Sequence, residues 1–281
     1  MSAEVRGEPR SWLFVPADSE KKIAKALESE ADAIIFDLED SVAPQQKSAA
    51  RDILKGLPKR VGGPQWWVRV NPIGSEFHKA DLELFRKADF HGIVLPKAEG
   101  GEDVAQLAHR TGNIPIHAIV TETAASLFGL LSYRDPKSPL AAMSWGAEDL
   151  SAALGAASKL DLEGELAFTY RLARSLCLAG AVAAGVQPVD GVFTDFRDEE
   201  GLRAEAQAAA HDGFTGKLAI HPAQVAGINA AFTPSEDELA QAREIVGAFE
   251  AQPDAGVLSV NGKMVDRPHL VQARRIIERA R

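Results

Sequence analysis

Eight short apolar runs alternating with amphipathic segments predict an α/β chain folded as a (β/α)8 TIM-type barrel with a C-terminal helix–hairpin–helix extension. Three observations carry this expectation. The runs WLFVP, AIIFDL, WWVRV, GIVLP, IHAIV, AAMSW, GVFT and KLAI are unbroken rather than alternating, as in strands buried on both faces. A helix-like segment separates most neighbours, which makes the strands parallel. No G-x-G-x-x-G follows any strand, which weakens the alternative of an open doubly wound nucleotide fold.

The strands are expected to end near Pro16, Leu38, Val70, Leu95, Val120, Trp145, Thr194 and Ile220. Between them KKIAKALESE, QQKSAARDILKGL, EFHKADLELFRKA and EEGLRAEAQAAAHDG read as helices. Pro44 sits just inside the second helix and Pro222 just before the eighth, where a missing N–H costs nothing. From Trp145 to Thr194 the interval is 49 positions, against 22 to 32 elsewhere. The surplus, around SKLDLEGELAFTY, is expected to form a loop over the barrel mouth. Past the eighth unit, a turn at Thr233–Ser235 leads into the helix SEDELAQAREIVGAFEAQ. GVLSVNGKMVD then reads as two strands split by Asn261-Gly262, a hairpin signal because both turn positions need positive φ. A last helix opens near Pro268. Residues 1–230 are thus expected to form the barrel and 231–281 an extension, too small for a core of its own, that docks on a neighbouring subunit.

The 281 residues are 46% apolar and 25% charged, with a formal charge of −9. The longest stretch free of charge and histidine, Ser175 to Val189, has 15 residues, short of the ~20 a membrane helix needs. The N-terminus carries no apolar signal segment. One cysteine, Cys177, in an apolar run, fits a small core residue in a reducing cytoplasm. The acidic balance argues against nucleic-acid binding but not against an anionic small molecule, since steering depends on local charge.

In a parallel barrel the residues past each strand converge on one mouth. Those residues are Asp37, Glu39 and Asp40, then Arg69 and Asn71, Lys97 and Glu99, Glu122, Glu148 and Asp149, Asp195 and His221. Glu122 and Asp149 fall on neighbouring units. With little His or Cys nearby, such a pair suits a hard cation, Mg²⁺ or Mn²⁺; the alternative is that both cap the helices that follow. Arg69, inside an apolar strand, needs a partner. That is either a carboxylate such as Asp40 or a substrate carboxylate held in its fork. Lys97 reads as salt-bridged to the Asp37–Asp40 cluster, with a Schiff-base role the lesser alternative. His221 is a general base or, more simply, a satisfied strand-end histidine. Asp266, before Arg267-Pro268, is read as a helix N-cap, and Arg274, Arg275, Arg279 and Arg281 as a solvated basic face.

Taken together, RSWLFVPA, FDLEDSV, VRVNP, LPKAE, TETAAS, WGAEDLSA, KLAIHPAQV, INAAFTPS and NGKMVD resemble the citrate lyase β-subunit-like (CitE-like) branch of the HpcH/HpaI aldolase superfamily. The resemblance runs from Arg10 to about Ala280. It implies a Mg²⁺-dependent carbon–carbon lyase, a homotrimer or hexamer, that cleaves a 3-hydroxy-3-carboxy acyl-CoA thioester to acetyl-CoA or a homologue and a 2-oxo acid. By motif, it makes Glu122 and Asp149 the metal ligands and Arg69 the holder of the 2-oxo acid carboxylate. Asp266 becomes the carbon acid/base, supplied by a neighbouring subunit. Asp40 and Lys97 join the substrate-binding set. The Pro-Gly-Asp-Arg turn usual in this family is here Pro16-Ala17-Asp18-Ser19. A CoA-phosphate contact is therefore expected to shift to Arg10, Lys21, Lys22 or Lys25. Three other outcomes share the framework: a malyl-CoA thioesterase, an aldolase on free hydroxy acids, and a citrate lyase subunit that needs an acyl carrier protein.

Overall fold

The computed structural model describes residues 7–58, 62–86, 89–135 and 137–280. They form two compact units, Glu8–Asn229 and the segment from Ala230 onward. In the first, eight parallel strands close into a barrel in chain order. These are β1 (Ser11–Pro16), β2 (Ala33–Asp37), β3 (Gln65–Arg69), β4 (Gly92–Leu95), β5 (Ile116–Ile119), β6 (Leu140–Ser144), β7 (Gln187–Asp190) and β8 (Gly216–Ala219). The helices are α1 (Glu20–Leu27), α2 (Lys47–Lys55), α3 (His78–Leu82), α4 (Gly101–Thr111), α5 (Ser126–Gly129), α6 (Ala147–Ala153), α7 (Phe168–Ala184), α8 (Glu199–Asp212) and α9 (Val225–Ala231).

The strands are 4 to 6 residues long and buried on both faces, which is why their sequences do not alternate. Alternate residues still point to opposite sides. Trp12, Ala33, Ile35, Trp67, Val94, Ile119, Ala142, Val189 and Leu218 fill the barrel interior. Two indoles dominate it, with Trp12 and Trp67 4.9 Å apart between ring centroids. Small residues make room for them. A Cβ on Gly92 would lie 2.1 Å from Cζ3 of Trp67 and 2.6 Å from the Pro115 carbonyl. His117 also points inward, bonded to the Ser144 hydroxyl at 2.9 Å, and burial drives its pKa down to about 3.

Three expectations are corrected or sharpened by this architecture. The seventh strand is QPVD, not GVFT, so Asp190 rather than Asp195 ends it. The two lie close in sequence, but only QPVD aligns with β6 and β8; Asp195 sits in the following loop, bonded to the Arg197 amide. Asp190 is fully buried against the outer helices. It meets Lys217 Nζ at 2.8 Å, Arg174 Nε at 2.9 Å and Trp145 Nε1 at 2.8 Å, while Lys217 also reaches Glu205 at 2.7 Å. Burial alone would raise the Asp190 carboxyl, but Lys217 and Arg174 hold it below its ordinary range. The long interval after β6 is also more than a loop. It contains α6, residues 154–167 and the four-turn α7, whose Tyr170, Ala173, Cys177 and Ala181 face the core. The third helical segment is shorter than read, with a 3₁₀ turn over Glu83–Arg86 completing it.

The C-terminal unit packs α10 (Glu236–Ala251) and α11 (Arg267–Glu278) with the antiparallel pair β9 (Val257–Val260) and β10 (Lys263–Asp266). The expectation that this segment is too small for a core of its own is corrected, because Phe249, Val265 and Leu270 pack together as a small one. Asn261, at φ 53°, and Gly262, at φ 75°, make the turn. Among the described residues no helix is long and apolar enough to cross a membrane.

The packing of Trp67 on Gly92 gives a direct check. Gly92→Ala forces the indole or the neighbouring backbone to move and should lower stability by about 1–3 kcal/mol or more. A urea midpoint unchanged from the parent would contradict that packing.

Candidate active site at the carboxyl end of the barrel

The alternation that points Ile35 and Trp67 inward does the same for Asp37 and Arg69, the last residues of β2 and β3 and partners in register. Arg69 Nε and Nη2 each lie 2.7 Å from the two oxygens of Asp37, a bidentate pair. Its Nη1 lies 2.9 Å from Oε2 of Glu39, in ion-pair reach but misaligned for a hydrogen bond. The guanidinium covers the Phe14 ring at 4.8 Å. The partner of Arg69 is therefore Asp37 with Glu39, not Asp40, because Asp40 has turned outward and is mostly exposed. Burial would discharge Arg69, yet the facing Asp37 and Glu39 keep it charged. Asp37 also accepts the amides of Glu39 and Ser41, at 2.9 and 3.1 Å, which shapes the turn that presents Glu39 and Asp40.

Lys97 follows β4 and, unusually for a residue with a side chain, has φ 53°. That twist aims its two donors in different directions. Its backbone N–H meets Glu122 Oε2 at 2.5 Å. Its ammonium lies 2.6 Å from Glu39, 3.1 Å from Asp149 and 3.5 Å from Asp40. The lysine thus pairs with Glu39 and Asp40 of the expected cluster and adds Asp149. Burial alone would lower its pKa, but the Glu39 contact, with Glu122 and Asp149 behind it, raises it. An ammonium so held is a poor Schiff-base nucleophile.

Glu122 lies three residues past β5 and is 4% exposed. A Cβ on Gly146 would lie 2.9 Å from its Cγ, so only glycine there leaves Glu122 its space. Burial pushes its carboxyl up to about 8, with Glu39 and Asp149 adding to the rise against the Lys97 contacts. Asp149 stands in the first turn of α6, one-third exposed. Neighbouring Glu148 pairs with Lys159.

A buried carboxylate short of positive charge, beside a second one one-third exposed, fits a hard divalent cation. Such a cation takes oxygen ligands and fills its shell with water and substrate. Among the described residues no group of three or more His, Cys, Asp or Glu forms a ready-made cage. The ammonium of Lys97 lies 3.1 Å from Asp149, while Glu122 meets only the Lys97 backbone N–H.

Three residues that hold the site, Lys47, Asp81 and Arg51, were not singled out from the sequence. Lys47, at the start of α2, is buried and donates to the carbonyls of Leu38 and Glu39 at 2.7 and 2.8 Å and to Asn71 Oδ1 at 2.7 Å. Asn71 in turn bonds Asp81, which Arg51 pairs at 2.9 Å. The signal was present: Lys47, Ala50 and Leu54 share one buried helical stripe, where a lysine must find acceptors.

Arg10 is not at the mouth. It precedes β1 at the amino end of the barrel, where Asp32 engages its backbone amide and its guanidinium at 2.8–3.1 Å. A CoA-phosphate contact by Arg10 is therefore corrected, since strand direction puts it at the opposite end. Lys21, Lys22 and Lys25 are exposed on α1. His221 stacks on Phe196 at 4.7 Å and accepts the Ala223 amide, the simpler of its two expected roles. Asp266 is in the C-terminal unit, at the start of α11, with Oδ1 2.5 Å from Nδ1 of His269, which holds the carboxyl below its ordinary range.

A closed (β/α)8 barrel with a carboxylate-lined mouth is an enzyme scaffold shared by many chemistries, and the comparisons narrow its class to the lyases. Residues 10–222 match the model of the HpcH/HpaI aldolase/citrate lyase family, and residues 166–281 match a C–C bond lyase family of the TIM-barrel fold. The chain belongs to the HpcH/HpaI aldolase/citrate lyase family, which includes lyases. It is 38% identical to a (3S)-malyl-CoA thioesterase of Cereibacter sphaeroides, over 96% of this chain and 94% of that one. It is 35% identical to the mitochondrial citramalyl-CoA lyase of Rattus norvegicus, over 95% and 85%. CitE of Mycobacterium tuberculosis, solved with magnesium, acetoacetate and coenzyme A, superposes with a TM-score of 0.84 at 36% identity, covering 98% and 99% of the two chains.

The raised pKa of Glu122 makes a signed prediction. Between its unfolded pKa of 4.5 and its folded pKa of about 8, the folded state holds a proton that the unfolded state has lost. Stability of the metal-free protein therefore falls as pH rises through this window and levels off above it. Glu122→Gln removes the fall. In EDTA its stability advantage should grow from pH 4.5 to 8, to the order of a few kcal/mol. Parallel urea curves across that range would contradict the burial effect.

Proposed function

We propose that this chain is a Mg²⁺-dependent lyase that reversibly cleaves a 3-hydroxy-3-carboxy acyl-CoA thioester of the malyl-, citramalyl- or citryl-CoA type. The products would be acetyl-CoA or a homologue and a 2-oxo acid. The observation that supports it most is the convergence of Glu122, Asp149 and Arg69 on the carboxyl end of the barrel. The relatives named above add the CoA-ester chemistry.

Asp37 takes two of the five N–H donors of Arg69. The end of the guanidinium, Nη1 and the second Nη2 hydrogen, remains for Glu39 and for the carboxylate that becomes part of the 2-oxo acid. Glu39, Asp40 and Lys97 line the same mouth and would orient the polar end of the substrate. Glu122 and Asp149 would hold Mg²⁺, or Mn²⁺ in its place, which when bound supplies positive charge opposite the oxygen that becomes the 2-oxo carbonyl. As C2–C3 breaks, its electron pair passes to the thioester enolate and the C3 hydroxyl loses its proton. Asp266 of a neighbouring copy in a trimer or hexamer would then deliver a proton to C2, or remove one in the synthetic direction. Proton loss and gain balance. The single cysteine is buried, as suits a protein we place in the cytoplasm.

The second reading is a malyl-CoA thioesterase, favoured by the 38% identical relative of that name. A screen of malyl-, methylmalyl-, citramalyl- and citryl-CoA with Mg²⁺, trapping 2-oxo acids and titrating free thiol, separates the two. The lyase gives a 2-oxo acid and an acyl-CoA; the thioesterase gives the free hydroxy acid and CoA. Turnover without partner proteins would set aside dependence on an acyl carrier protein. Glu122→Ala and Asp149→Ala should each abolish Mg²⁺-dependent turnover, and Asp266→Ala should lose deuterium uptake into acetyl-CoA while still binding Mg²⁺. Full turnover of either metal-site variant in EDTA would refute the proposal.

A further inference from the structure

Asp266 is bonded to a histidine that the end of a helix does not require. His269 stands in the first turn of α11, at the position where a capping box ordinarily has glutamate or glutamine. It completes that box, its backbone N–H donating to the Asp266 carboxylate and its Nδ1 accepting the Asp266 amide at 3.2 Å. The same Nδ1 lies 2.5 Å from Oδ1 of Asp266. A carboxylate oxygen and a bare imidazole nitrogen are both acceptors, so a contact between them needs a proton on one or the other. With the proton on oxygen, the carboxyl O–H donates to Nδ1; with it on nitrogen, the imidazole donates to the carboxylate. Glutamine would close the helix end as well and offer no such exchange. A carboxylic acid alone is ionised at neutral pH, whereas an imidazole gains and loses a proton there.

We propose that His269 is a positioning residue for Asp266 that also keeps a transferable proton on it. In the cleavage direction the shared proton moves from Nδ1 to the carboxyl and from there to C2 of the thioester enolate. The carboxylate and neutral imidazole left behind take up one proton from water; synthesis runs the same steps in reverse. Within the C-terminal unit the side chains of His269 and Asp266 are 44% and 36% exposed, so water reaches the pair. The surroundings leave the two residues to each other. The groove that His269 lines carries Asp237 and Glu244 of α10 and Lys263 of β10, and Glu244 is engaged by Asn261 at 2.6 Å. Arg267, the nearest cation in sequence, is turned away, its guanidinium 5.2 Å over the Phe249 ring and donating to the Pro253 carbonyl. Among the described residues His269 is thus the only side chain bonded to the Asp266 carboxylate.

The inference rests on the reading of Asp266 as the carbon acid/base, and its test separates the two. The measurement is deuterium uptake from heavy water into acetyl-CoA, with propionyl-CoA as second probe, in the presence of Mg²⁺. In wild type the rate should bend near neutral pH. His269→Gln should keep the wild-type thermal midpoint and Mg²⁺ affinity, slow uptake about tenfold or more at neutral pH, and lose the bend. His269→Ala should be slow as well and should recover with added imidazole, a response that a purely structural residue would not give. Asp266→Ala should stay inactive with or without imidazole. Wild-type uptake and pH profile in His269→Gln, with Asp266→Ala inactive, overturns the role of His269 and leaves that of Asp266. If the glutamine variant fails to fold, an alanine variant that imidazole leaves unchanged overturns it equally. Uptake that persists in Asp266→Ala, or a wild type that exchanges neither thioester, overturns both.

Discussion

Five carboxylates, Asp37, Glu39, Asp40, Glu122 and Asp149, crowd the carboxyl end of the barrel, and two cations, Arg69 and Lys97, hold them there. Two positive side chains cannot neutralise five negative ones. Glu122 has no cationic side chain paired with it, and burial, with Glu39 and Asp149 adding to the effect, raises its pKa to about 8. Most of the local structure follows from managing this charge. Asp37 locks the guanidinium and shapes the turn after β2. Lys97 accepts a left-handed backbone to place one donor on Glu122 and another among Glu39, Asp40 and Asp149. Lys47 ties down the carbonyls of Leu38 and Glu39 from beneath.

The barrel itself was legible because burial on both faces of a parallel strand leaves an unbroken apolar run, and eight such runs close a sheet. The seventh was misread by a few residues. QPVD carries a proline and an acid, and its Asp190 is tolerated only because Lys217 and Arg174, from other elements, neutralise it. No local pattern announces that. Similarly, the acids of the mouth could be named from their place after each strand, whereas their pairing could not. Asp40 and Asp37 are three residues apart, but one points out and the other in, and that decided which of them Arg69 would meet. Arg10 was misplaced for a simpler reason: a residue before a strand lies at the amino end of the barrel, however suitable its charge.

The C-terminal unit shows the limit of reading a motif by its chemistry. Asp266 is both a helix N-cap neighbour of His269 and, by family resemblance, a candidate acid/base, and nothing local distinguishes these roles. A solvated carboxylate bonded to His269 becomes useful for proton transfer to carbon only in a site that another part of the assembly completes.

The central claim is that burial, with Glu39 and Asp149 nearby, keeps Glu122 protonated in the metal-free protein at neutral pH, and that a divalent cation displaces that proton. It is tested most directly by calorimetric titration of Mg²⁺ into the protein at neutral pH in buffers of different ionisation enthalpy. The account predicts that binding releases a proton, since Glu122 must ionise to become a ligand, and that Glu122→Gln loses this release. Heats independent of the buffer in wild type, or proton release that persists in Glu122→Gln, would contradict it.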